Sequence, residues 1–183
     1  MTVTVTRHGA ILPGATGDAD DIHRLTMSLW ASADLPGEAG EKRAGANILW
    51  MRSQNGILVT GDTAPTDLPE DAAELNVELV FSKGDTISVT VVADTVARVR
   101  GRAVPVSDPI QWLRARSAHA AELVGAEVLG QYRDRRRGAG LSQVAILAQF
   151  TVTDENAFAE LLRTGVGRSK AFGCGMMWMN PYG

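Results

Sequence analysis

The residues of this 183-residue chain best suited to chemistry are His23-Arg24 and the stretch Gly165-Val166-Gly167-Arg168-Ser169-Lys170-Ala171-Phe172-Gly173-Cys174-Gly175. A histidine titrates near neutrality and can give or take a proton, and an adjacent arginine can hold an anion. The later stretch interleaves four glycines with two cations. Glycine admits positive φ and lets backbone N–H groups approach a ligand. Cations beside those amides suit a phosphate. The spacing fits neither G-x-x-x-x-G-K-[ST] nor G-x-G-x-x-G, because Lys170 stands where the third glycine should be. Gly165, Gly167, Arg168 and Lys170 therefore read as a cradle for a phosphodiester backbone, against the plainer reading of turn chemistry before a strand.

His23 sits early in a predicted helix, off the apolar face formed by Leu25 and Leu29. His8 reads as a surface residue just past the first strand, and His119 as lying near the end of a long helix. No second histidine and no spaced carboxylate pair completes a competing constellation. One cysteine and three scattered histidines give no metal-ligand spacing, so neither a metal nor a cofactor is expected. The lone Cys174 forms no internal disulfide. No apolar run reaches the ~20 residues of a membrane span, and no signal peptide is recognisable. These features predict a cytoplasmic protein with no membrane contact.

The net charge of −3 hides an asymmetry. Residues 1–94 hold six Lys and Arg against fourteen Asp and Glu; residues 95–183 hold twelve against seven. Attraction between two oppositely charged halves is one explanation and a polyanion surface on the second half is the other. The placement of the cations favours the surface. Arg133, Arg135, Arg136 and Arg137 precede Gly138-Ala139-Gly140, between a strand-like stretch ending at Tyr132 and the strand Val144–Val152. That arrangement is a hairpin tipped with arginines, whose planar forks match phosphate. Arg98, Arg100 and Arg102 alternate along a predicted extended segment, which puts them on one face.

The elements that must position these residues follow from turns and caps. Thr2–Thr6 reads as a strand and 20–32 as a helix. Strands 47–52 and 57–60 flank Asn55-Gly56, a short helix starts near Leu68-Pro69, and 77–81 and 86–92 pair across Lys83-Gly84-Asp85. Ser107-Asp108-Pro109 opens a helix reaching about Val124. After the arginine hairpin, Thr153-Asp154 caps a helix over 155–163, Gly165 ends it, and 174–179 is the last strand. The order predicts an α+β chain of two tandem ferredoxin-like units with antiparallel sheets, 1–94 and 95–183. Aromatic residues make up 5% and no RNP-like run is present, so base stacking on a sheet face is not expected.

The tail Gly165–Met177 resembles the C-terminal glycine-rich loop of the CRISPR-associated endoribonucleases of the CasE group, which cut precursor RNA in the type I-E Cascade system. Asp21-Ile22-His23-Arg24-Leu25 resembles the start of that family's catalytic helix. Pro109-Ile110-Gln111-Trp112-Leu113, the basic hairpin, Phe150–Val152 with Asp154, and Leu162-Arg163-Thr164-Gly165 follow in the family's order. The resemblance spans most of the chain.

The resemblance implies a metal-independent reaction in which the RNA 2′-hydroxyl attacks the adjacent phosphate, leaving a 2′,3′-cyclic phosphate and a 5′-hydroxyl. It makes His23 the catalytic histidine and gives Arg24 and Lys170 phosphate contacts. It gives Arg133, Arg135, Arg136 and Arg137 the groove of a repeat stem-loop. The partners it implies are that RNA and other Cascade subunits, with the protein a monomer when alone and the product retained. Two positions depart from the family. Asp20 stands where some members carry a tyrosine that shares proton transfer. Val92-Ala93-Asp94-Thr95 replaces Arg-Ala-Asn-Pro at the junction, where Arg98 and Arg100 are expected to compensate for the missing cation. An alternative expectation is a weak or inactive RNA-binding assembly subunit of the same fold.

Overall fold

The computed structural model describes residues 1–37, 41–100, 102–136 and 139–179. The first half forms β1 (Thr2–Leu12), α1 (Ala19–Ser28), the one-turn α2 (Lys42–Gly45), β2 (Leu49–Ser53), β3 (Gly56–Gly61) and β4 (Ala73–Ser82). The second forms β5 (Thr86–Ala93), the ribbon β6 (Val96–Val99) and β7 (Arg102–Pro105), α3 (Pro109–Ser117), β8 (Ala121–Arg136), β9 (Ala139–Val152), α4 (Glu155–Thr164) and β10 (Met177–Met179). Sheet orders are β2-β3-β1-β4 and β10-β5-β9-β8, all neighbours antiparallel. Each is the ferredoxin-like order, with the last strand beside the first. The expected fold is present.

Several boundaries differ, each for a tertiary reason. β1 runs to Leu12, so His8 lies within the strand, where its Nδ1 is 2.7 Å from Asn76 Oδ1 on β4. The tight turn at Lys83–Asp85 forms, but β4 and β5 do not pair across it. The Gly84 and Asp85 backbones bond instead to Val152 at 2.8 and 2.9 Å, which starts β5 along β9. β5, expected in the first unit, therefore belongs to the second sheet. No helix forms at Leu68–Asp71; the segment is a turn closed by Ala72 N–H to Pro69 C=O at 3.0 Å. α3 stops at Ser117 and not at Val124, because residues from Ala121 onward pair with β9. Strand pairing there outweighs helix propensity. His119 consequently follows the helix. β10 begins at Met177.

The cores interlock. The second unit's core takes Val5 and Phe81 from the first, and the first unit's core takes Leu141 and Cys174 from the second. A third cluster, including Met51, Leu58, Val92 and Ala145, fills part of the space between the sheets. Each fully buried aliphatic side chain stabilises by about 1.5–3 kcal/mol relative to exposure, so these exchanges fix the relative position of the sheets.

Candidate functional site

α1 owes its start to Asp18, whose Oδ1 accepts the Asp20 and Asp21 amides at 3.0 Å each. Asp21 in turn accepts the Asp18 amide at 3.1 Å, a reciprocal cap. The hydrogen bonds, led by that from the Asp21 amide, hold the Asp18 carboxyl below its ordinary pKa. Ile22 then points fully into the core. His23 follows on a half-buried flank, its ring 5.8 Å from that of Phe172 and tilted by 53°. Arg24 extends into solvent, paired with Asp21 at 2.5 Å. Asp20 occupies the first turn and is half-buried.

Phe172 belongs to the glycine-rich stretch, which is bound down at several points. Gly165 at φ 74° ends α4, Ser169 turns left-handed at φ 59°, and Lys170–Phe172 forms one 3-10 turn. Trp50 Nε1 donates to Ala171 C=O and Gln143 Nε2 to Phe172 C=O, both at 3.0 Å. Asp94 accepts from Arg168 Nε at 3.0 Å and from Ser169 Oγ at 2.6 Å. Gly173 lies on the Trp50 indole and Gly167 on that of Trp112, close enough that an added Cβ would stand 2.6 and 2.7 Å from ring carbons. These two glycines therefore serve close packing. Asp94 is the carboxylate that fixes Arg168.

Lys170 is half-buried, and its pKa is lowered first by desolvation and then by the positive charge of Arg43, with Glu160 acting the other way. Arg43, on α2, donates to Ile48 C=O at 2.9 Å, and its own pKa is lowered by burial. Sequence reasoning missed Arg43, Trp50 and Gln143. None carries a local signal, since each reaches the glycine stretch from a distant element.

The arginine hairpin is formed by β8 and β9. Arg133 is exposed and borders a 770 Å³ cleft between the sheets, shared with Met51, Leu58, Tyr132 and Trp178. Arg135 and Arg136 pair in register with Gly140 and Ala139. Arg137 lies outside the described residues, as do the side chains of Arg98, Arg135 and Arg136. Asp134, missed within the basic run, accepts from Arg52 Nη2 at 3.0 Å and from the Ala19 amide at 3.2 Å. Arg98, Arg100 and Arg102 do not share one strand face. The chain reverses at Arg100, whose φ is 48°, and Arg98 and Arg102 fall on opposite arms of the β6–β7 ribbon.

Helix α1 thus presents His23 to the glycine-rich stretch, with Lys170 in the same turn as Phe172. Over residues 4–181 the sequence matches the family described as CRISPR associated protein. The chain belongs to that family. Comparison with curated protein sequences finds no match. Among solved structures, Thermus thermophilus Cse3 bound to an RNA representing a pre-cleavage complex is 20% identical with a TM-score of 0.74, over 97% of this chain and 99% of that one. Cas6e from Escherichia coli K-12 is 17% identical at a TM-score of 0.67, covering 99% and 100%. A chain of a CRISPR RNA-guided surveillance complex is 18% identical at 0.69, covering 94% and 98%. At these identities the likeness is one of fold, and it extends over nearly the whole chain. Among the described residues, no helix is long and apolar enough to cross a membrane, and no three His, Cys, Asp or Glu group to hold a metal ion.

Proposed function

We propose that this protein is an endoribonuclease that cleaves CRISPR precursor RNA at the repeat stem-loop and retains the product within Cascade. The observation that carries this reading is the contact of His23 with Phe172 of the glycine-rich stretch, in a chain of this family and fold. The nucleophile is the RNA's own 2′-hydroxyl, attacking the adjacent phosphate with loss of the 5′ oxygen. That step needs a proton acceptor, a proton donor and cations for the developing charge. His23 moves the proton. Lys170 lies in the turn beside it, and Arg24 on the following position, with Asp21 as its exchangeable partner, reaches the phosphate. Arg168 and the arginine hairpin hold the flanking backbone, Gly165 and Gly167 shape the turns that carry Arg168 by packing on the protein's own backbone and the Trp112 ring, and Arg98 and Arg100 add charge from the ribbon. The reaction requires no metal, and its products are a 2′,3′-cyclic phosphate and a 5′-hydroxyl. The protein works in the cytoplasm and is a monomer until it joins the other Cascade subunits.

The test is incubation of CRISPR repeat stem-loop RNAs with the protein in EDTA. Wild type cuts once per hairpin, and His23→Ala binds without cutting. Cleavage abolished by chelation, or undiminished in His23→Ala, overturns the mechanism. Asp20 favours a second reading, because a carboxylate cannot act as the tyrosine of some relatives does. Tight retention of intact hairpin by the wild-type protein would establish that reading, a binding and assembly subunit.

A further inference from the structure

We infer that Asp134 is a positioning residue: it fixes the helix bearing His23 to the hairpin bearing the arginines. The inference rests on the ribonuclease reading for its consequence and on geometry for its substance. The first turn of any helix has N–H groups with no partner inside the helix. In α1 local carboxylates take those of Asp18, Asp20 and Asp21. The Ala19 amide remains, and Asp134 Oδ1 accepts it from 115 positions away. The other oxygen accepts from Arg52 Nη2, which also donates to Gly17 C=O at 2.7 Å. One carboxylate thereby joins β8, β2, the start of α1 and the loop before it.

Two further observations favour a tie over an incidental contact. The Asp134 side chain is only 13% exposed. Its register partner across the hairpin, Leu141, is buried in the same core as Ile22 of α1. The hairpin base is thus held to α1 by a polar and an apolar contact together. Asp134 also sits among Arg133, Arg135 and Arg136, where a negative charge opposes a polyanion. A neutral residue would bind phosphate better there, so the carboxylate is explained by the connection it makes and not by RNA affinity.

The experiment uses the full chain and CRISPR repeat stem-loop RNAs, with single-turnover cleavage and equilibrium binding measured separately. Asp134→Ala lowers the cleavage rate roughly tenfold to a hundredfold, the scale that about 1 Å of misplacement costs, while affinity for RNA is unchanged or tighter. Asp134→Asn restores part of the rate, because its amide oxygen still accepts the Ala19 N–H while its NH2 cannot accept from Arg52. Hydrogen exchange at residues 19–22 accelerates in the alanine variant and not in the asparagine one. A wild-type rate in Asp134→Ala overturns the inference, as does equal loss of rate in both variants with weakened binding. Unchanged exchange in the alanine variant overturns it whatever the RNA assay shows. Wild-type protein that cuts no repeat RNA overturns the ribonuclease reading alone, and the tie then stands or falls on the exchange rates.

Discussion

Asp18 sets the acid limit of the helix that carries His23. Its folded pKa lies below the ordinary value, so its stabilisation is complete above the unfolded pKa and is lost as pH falls through the folded one. Exchange at the Asp20 and Asp21 amides, corrected for intrinsic rate, should stay constant from neutrality to about pH 4, near the ordinary aspartate pKa, and rise below it. Acceleration already above pH 5 would show that another group governs the cap. At the glycine-rich stretch the anchoring carboxylate is Asp94. It is 4% exposed, and Arg168 and Ser169 both satisfy it. A further buried cation, Arg7, is held by Asp62, the Asn47 carbonyl and Thr60, which ties β1 to the end of β3.

At the level of elements, the glycine-rich stretch works as a pad between α1 and two indoles. Gly173→Ala should slow cleavage while leaving the sheets intact, since the new Cβ needs φ near 77° and meets Trp50. Near-native circular dichroism with a reduced rate is the expected pair of readings; wild-type cleavage would mean that the pad tolerates displacement. The Asp18–Asp21 cap starts α1 at Ala19, ahead of the expected start at Asp20; the helix bearing His23 and the tight turn at Gly165 could still be read in the sequence because each is local. Their meeting could not, for it depends on Trp50 and Gln143 arriving from β2 and β9. The same limit explains β5. A tight turn at Gly84 reads locally as a hairpin, and the competing partner, Val152, lies 68 positions away by number. Likewise, Arg98 to Arg102 alternate as a strand would, but the reversal at Arg100 needs a left-handed residue that its type does not advertise.

For the whole molecule, β8 and β9 carry the arginine run, and its base meets the first half through Asp134 on Arg52, a pair opposite in sign to the charge division of the chain. Replacing Arg135 and Arg136 together by alanine should weaken RNA binding and reduce the slope of log affinity against log salt by roughly two, about one for each phosphate no longer neutralised. An unchanged slope would take the hairpin out of the interface. The exchange of Leu141 and Cys174 for Val5 and Phe81 between cores means that neither sheet is complete without the other. Cys174, the chain's one cysteine, lies fully buried behind Phe172, with Gln143 Nε2 3.4 Å from its sulfur. Its thiol can meet a reagent from solvent only when the segment around it lifts away. Labelling kinetics at that sulfur therefore supply a clock for how often the floor beneath the imidazole opens.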